Sequence, residues 1–211
     1  MGANDGIVSI AGLVMGVAAA THSASAILTA GLAGIVAGAI SMAAGEYISV
    51  SSSRDTESAL LLTEREELKN YPELELQELE LLYRNKGLSQ KTAKLVAKEL
   101  SSTDAFAAHA HVELNIDPNN LTNAWHAAIA SALAFLCGAI IPLVSIVISP
   151  APMKVLVTFI SVVVALAITG IVSAKVGRSN VLRATTRVIL GGVLAMTVTY
   201  VIGKLFAVSG M

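Results

Sequence analysis

Thirteen of the fifteen acidic residues lie between Asp55 and Asp117, and several of them fall at helical spacings. Glu64 and Glu67 are three residues apart, as are Glu75 and Glu78, so on a helix each pair shares a face. His109 and Glu113, four apart, share another. Like charges at such spacing repel, so an empty helix carries a small penalty that a bound cation removes. Carboxylates combined with an imidazole suit Fe²⁺, Mn²⁺, Co²⁺ or Zn²⁺ better than a purely soft or purely hard ion. An acid-rich helical face is more often plain solvated surface, and no diagnostic ligand motif is present. Spacing alone therefore makes these six residues candidate metal ligands and nothing more.

The remaining two acids, Asp5 and Glu46, flank a stretch, residues 6–45, that holds no Asp, Glu, Lys or Arg. They are the acids that a helix would place in or near a bilayer. A charge there costs roughly a few kcal/mol even on the lenient insertion scale, which makes each a candidate functional group. The bland alternative is that each sits hydrated at the interface, and for Glu46, near the end of its apolar run, the two readings are nearly balanced. Ser9 follows Asp5 by one turn on the same face, and Met42 precedes Glu46 by one turn. A methionine in a span is normally packing. Beside carboxylates, its soft thioether would favour Fe²⁺ over Mg²⁺ and Ca²⁺.

The elements that must hold these residues follow from composition. The 211 residues are 55% hydrophobic and only 14% charged, with a mean hydropathy of +0.71. That is too little polar surface for a soluble domain, which is usually about a quarter charged, and lipid resolves the shortfall. Forty helical residues would extend about 60 Å, twice the hydrocarbon thickness, so the first uncharged run must fold back, at Thr21-His22-Ser23-Ala24-Ser25. Spans are expected near 6–21, 26–50, 121–148 (containing Pro142), 155–174 and 187–207. Five spans place the termini on opposite sides. Lys175, Arg178, Arg183 and Arg187 mark the 175–187 loop, and Arg54, Arg65 and Lys69 the segment after span two, as cytoplasmic together with the N-terminus.

The expected fold is all-α: transmembrane helices in 1–50 and 119–211, with a cytoplasmic helical metal-binding domain over 51–118 between spans two and three. In that domain the first helix runs to about Asn70 as a possible continuation of span two, Pro72 suits the next first turn, Gly87 ends it, and Ser89 and Thr103-Asp104 offer caps. Gly12/Gly16 and Gly34/Gly38 are small-residue pairs suited to close helix approach, within the chain or across a dimer. The single Cys137 is read as packing. The first residues lack the basic region of a cleavable signal. No nucleotide loop or sign of nucleic-acid binding is visible. A di-iron oxidase would need Glu-x-x-His on facing helices, and no Glu stands three before a His here.

Two ordered strings, Gly2-Ala3-Asn4-Asp5-Gly6-Ile7-Val8-Ser9 and Gly38-Ala39-Ile40-Ser41-Met42-Ala43-Ala44-Gly45-Glu46-Tyr47, carry a resemblance, joined by Ala130-Ser131-Ala132-Leu133-Ala134-Phe135 and Pro142-Leu143. With five spans and an insert after the second, the chain resembles the vacuolar iron transporter family along nearly its whole length. The resemblance implies a homodimeric carrier, not an enzyme, that moves Fe²⁺ and often Mn²⁺ out of the cytoplasm in exchange for protons, with its path at the dimer interface. It matches Asp5 and Met42 to the membrane metal site, and Glu64, Glu67, Glu75, Glu78 and Glu113 to the glutamates of the insert. His109 stands where a methionine ligand is expected, exchanging softness for a pH-sensitive donor. Gly34 and Gly38 occupy the region where some members carry an acid two turns before the methionine. Glu46 is the expected second proton acceptor. No resident cofactor is implied. A metal-sensing membrane protein without transport is the competing reading, and the expected location is a prokaryotic plasma membrane, with a vacuolar membrane as the alternative.

Overall fold

The computed structural model of the chain describes residues 2–208. Among these residues every regular element is helical: α1 Gly2–Ala20, α2 Ala24–Asn70, α3 Pro72–Asn85, α4 Gln90–Val112, α5 Ala124–Ile148, α6 Lys154–Val176 and α7 Val181–Val208, with a 3-10 turn at Ala151–Met153 before α6. Five helices are long and apolar enough to cross a membrane, and they are α1, α2, α5, α6 (with the preceding turn) and α7. The chain is a multi-pass membrane protein. It forms two compact units, one built from the described residues up to Tyr47 and from Trp125 onward, the other from Ile48–Ala124.

In the first unit α1 is the central helix. One of its faces, Ile7, Ala11 and Met15, packs on Val162, Ala165 and Leu166 of α6 and Met196 of α7. The other, Ile10 and Val14, meets Ile27 and Ile35 of α2 and Phe135, Ala139 and Ile146 of α5. Small residues permit this. Gly6 of α1 lies against the backbone of α5 at Phe135, and Gly203 of α7 against the backbone of α1 at Gly16, so close that a Cβ at either glycine would collide with main chain. Gly12 and Gly16 face Thr199 of α7, Gly34 faces Ile10 and Leu13 of α1, and Gly38 faces the Phe135 ring. Both small-residue pairs are thus used within the chain. The outward faces are apolar instead: Leu28, Leu32, Val36 and Ile40 on α2, and Leu156, Ile160, Val164, Ile168 and Val172 on α6, are exposed four residues apart, as lipid requires.

Two sequence expectations change. The fifth span does not begin at 187, because Asn180 accepts the Arg183 N–H through its side chain and starts α7 at Val181, placing Arg183 and Arg187 on the helix. The first span begins at Gly2, with Asp5 inside its first turn, rather than at residue 6.

In the second unit, the 47-residue α2 continues to Asn70 without a break. Pro72 occupies the first turn of α3, and the chain leaves α3 through Gly87 at φ 99°, a backbone that favours glycine. Ser89 caps α4 by accepting the Thr92 N–H. Asp104 breaks helical geometry within α4 (φ −157°, ψ 94°) and accepts the Ala107 N–H, as a cap for the segment that carries His109. Leu61, Ala110 and Ile116 form one small core, and Leu79, Ala97 and Ala108 another.

Candidate metal centre

Three helices of the second unit bring together side chains that are far apart in sequence. Glu64 comes from the extension of α2, Glu75 from the first turn of α3 and His109 from the last turns of α4. All three are buried: Glu64 is 2% exposed, Glu75 7% and His109 0%. One ligand atom from each lies within 4.8 Å of the others, and among the described residues this is the only such group of three or more His, Cys, Asp or Glu.

The arrangement centres on one nitrogen. Nδ1 of His109 stands 3.0 Å from Oε1 of Glu64, 3.5 Å from Oε2 of Glu75 and 3.5 Å from Oε2 of Glu113, one turn along. An imidazolium N–H can donate along one direction only, so three carboxylates cannot be satisfied by one proton. Indeed neither nitrogen of His109 nor Oε1 of Glu64 makes a hydrogen bond of acceptable geometry. Such orphaned buried atoms are costly. A divalent ion with N and O ligands at about 2.0–2.2 Å holds adjacent ligand atoms about 3.0–3.5 Å apart in octahedral or tetrahedral geometry, the spacing found here between the His109 nitrogen and each carboxylate. The donor set fits a first-row divalent metal, with oxygen dominant and one imidazole.

Electrostatics agree with an assembly built to receive positive charge. Burial pushes the Glu64 carboxyl up to about 7, reinforced by the charges of Glu113, Glu75, Glu67 and Glu78. Burial likewise raises Glu75, partly offset by His109 and added to by Glu78, Glu67 and Glu113. A cation would reverse the sign of these effects and expel the proton.

The fate of the six insert candidates therefore divides. Glu64, Glu75 and the exposed Glu113 lie about His109, whereas Glu67 and Glu78 are exposed and their charges help to raise the Glu64 carboxyl. Helical spacing paired Glu64 with Glu67 and Glu75 with Glu78; packing pairs Glu64 with Glu75 across helices.

The membrane candidates are not brought together in this way. Asp5 is exposed on α1 and accepts the Ser9 hydroxyl at 3.1 Å. Met42 is half-buried against the cluster that contains Phe135. Glu46 is exposed on α2, and Tyr47 beside it meets the Trp125 ring with centroids 4.7 Å apart. The sequence reading passed over Asn4. Its Oδ1 is buried without a hydrogen-bond partner, directly before Asp5, and its presence within the Asn-Asp string was the available signal.

Known proteins resemble the chain along nearly its whole length. The model of the VIT family matches residues 1–204. A protein of Acanthamoeba castellanii named vacuolar iron transporter is 42% identical over 207 residues, covering 97% of this chain and 76% of its own. Vacuolar iron transporter homolog 2 of Oryza sativa subsp. japonica is 36% identical over 98% of this chain and 88% of its own. Vacuolar iron transporter homolog 2.1 of Arabidopsis thaliana is 33% identical over 100% and 81%.

Proposed function

The chain belongs to the VIT family, and from that premise we propose that it transports a divalent metal, Fe²⁺ foremost, out of the cytoplasm across a membrane. It is a carrier and not an enzyme. The observation that carries this reading is the convergence of Glu64, Glu75 and Glu113 on Nδ1 of His109 in a protein with five membrane-spanning helices. Metal is cargo here. The Ile48–Ala124 unit is the cytoplasmic domain that gathers it, and the membrane unit moves it.

Asp5 and Met42 are the membrane site in this proposal, with Glu46 as a second proton acceptor. Metal and proton compete for the Asp5 carboxylate, since a cation stabilises the charged form and displaces the proton, and that competition is the minimum an antiporter needs. The exposure of Asp5 and Glu46 on the single chain suits a site completed by a second copy, so a homodimer belongs to the proposal, as does Mn²⁺ as a second cargo. The arginines after α6 and at the start of α7, together with Arg54, Arg65 and Lys69, support a cytoplasmic side for the insert. The names of the relatives favour a vacuolar membrane over the prokaryotic plasma membrane expected first.

The test is Fe²⁺ uptake by proteoliposomes of the full chain under an imposed pH gradient. Uptake that rises with the gradient and acidification changes in step with metal are expected. Metal binding without any flux would leave the sensing reading in its place.

A further inference from the structure

A cavity with polar groups in its wall lies at the end of the membrane unit formed by the α1–α2 turn, the 3-10 turn before α6 and the last turns of α7. It measures about 330 Å³ and is lined by Thr21, His22, Lys154, Tyr200 and Lys204 among small and aliphatic residues. Its walls come from residues 18–27, 151–155 and 200–204, stretches that contain no Asp or Glu; no acid occurs anywhere from 6 to 45 or after Asp117. Two lysines therefore line one cleft, with a histidine beside them and no carboxylate among the described residues of its wall. Lysines at the ends of spans often only snorkel to the interface. Here the Lys204 ammonium stands 5.7 Å from the centroid of the Tyr200 ring, which also lines the cavity, so that a cation–π contact biases this exposed side chain toward the cleft. Lys154 is half-buried. The turn that presents His22 is itself tied, since the Thr21 hydroxyl accepts the Ser23 N–H.

We propose that this cleft binds the anionic phosphate group of a ligand, between Lys154 and Lys204, with His22, Thr21 and the Tyr200 hydroxyl as further hydrogen-bond donors. Two lysines lining one cleft with no acid among its described residues favour an anion, and lysine is a point-charge binder of phosphate. The group could belong to free phosphate or to the headgroup of an anionic phospholipid, because the cleft lies at the end of the spanning helices. The assignment does not depend on which metal is carried or in which direction.

The experiment takes the full chain in two arms. In one, protein in detergent is titrated calorimetrically with inorganic phosphate. In the other, native mass spectrometry counts phosphatidylglycerol retained against phosphatidylcholine. Binding is expected in at least one arm, and the responding arm identifies the source. Lys154→Gln/Lys204→Gln should weaken that binding at least tenfold. Should the double variant fail to fold, the exposed Lys204→Gln alone should weaken it about threefold. Wild-type protein that binds neither probe, or variants that bind as well as wild type, would overturn the assignment.

Discussion

The two units of this protein invert each other. In the membrane unit the outside is apolar, with Leu, Ile and Val stripes along α2 and α6, and the inside packs Ile7, Leu166, Met196 and Phe135 between helices that glycines let approach closely. In the Ile48–Ala124 unit most acids are exposed, yet Glu64, Glu75 and His109 are withdrawn from water around a single point. The difference teaches what each solvent permits. Lipid offers no hydrogen bonds, so helices there associate by close backbone approach. Water would have hydrated Glu64 and Glu75 at no cost, and burying them instead is unfavourable unless a cation compensates. The Ile48–Ala124 unit thus buries acidic groups, and the membrane unit keeps Asp5 and Glu46 on its surface.

The largest effect should come from the membrane unit. Asp5→Asn should lower proton-coupled Fe²⁺ flux by on the order of 100-fold or more, since it removes the charge for which metal and proton compete. Flux in liposomes that keeps its dependence on the pH gradient would move the coupling site elsewhere and dissolve the functional contrast. Next comes Glu64→Gln/Glu75→Gln, which should weaken Fe²⁺ or Zn²⁺ binding by the full chain on the order of 100-fold in calorimetry, about 2.7 kcal/mol, while transport at saturating metal persists.

Packing supplies the third contrast. Gly203→Val pushes a side chain into the main chain of Gly16 and should destabilise by about 1–3 kcal/mol, read as a lower thermal midpoint in detergent. Gly45→Ala, which meets nothing within 4 Å inside α2, should leave the midpoint unchanged or raise it slightly.

The fourth is pH. With the Glu64 carboxyl raised from 4.5 to about 7, the empty fold binds more protons than the unfolded chain between these values. Its contribution to stability is therefore present at low pH and lost as pH rises to about 7. Metal binding runs the other way, weakening up to about tenfold per unit as pH falls below about 7, because a proton must leave first. Calorimetry across pH 5–8 checks both signs. The smallest change is expected from Glu67→Gln/Glu78→Gln, exposed charges whose loss should weaken metal binding only about two- to threefold. An effect as large as that of the Glu64 pair would place them inside the centre.

Much of this was readable from the chain. Uncharged runs long enough for the bilayer, a polar break at 21–25 and prolines at 150 and 152 decide the number of spans, because hydrocarbon tolerates few alternatives. Pro72, Gly87, Ser89 and Asp104 punctuate the insert where local backbone chemistry demands it. The acid pairs were visible too, but not which member of each turns inward. Residues three apart on a helix differ by about 60° in direction, so both share a face, and only the angle at which α2, α3 and α4 pack selects Glu64 over Glu67 and Glu75 over Glu78. The meeting of Glu64 with His109, 45 positions on, and the basic cleft assembled from three distant turns, are likewise properties of packing. Sequence period reports on one helix at a time, whereas a site shared among helices exists only once their side chains have closed around the same volume.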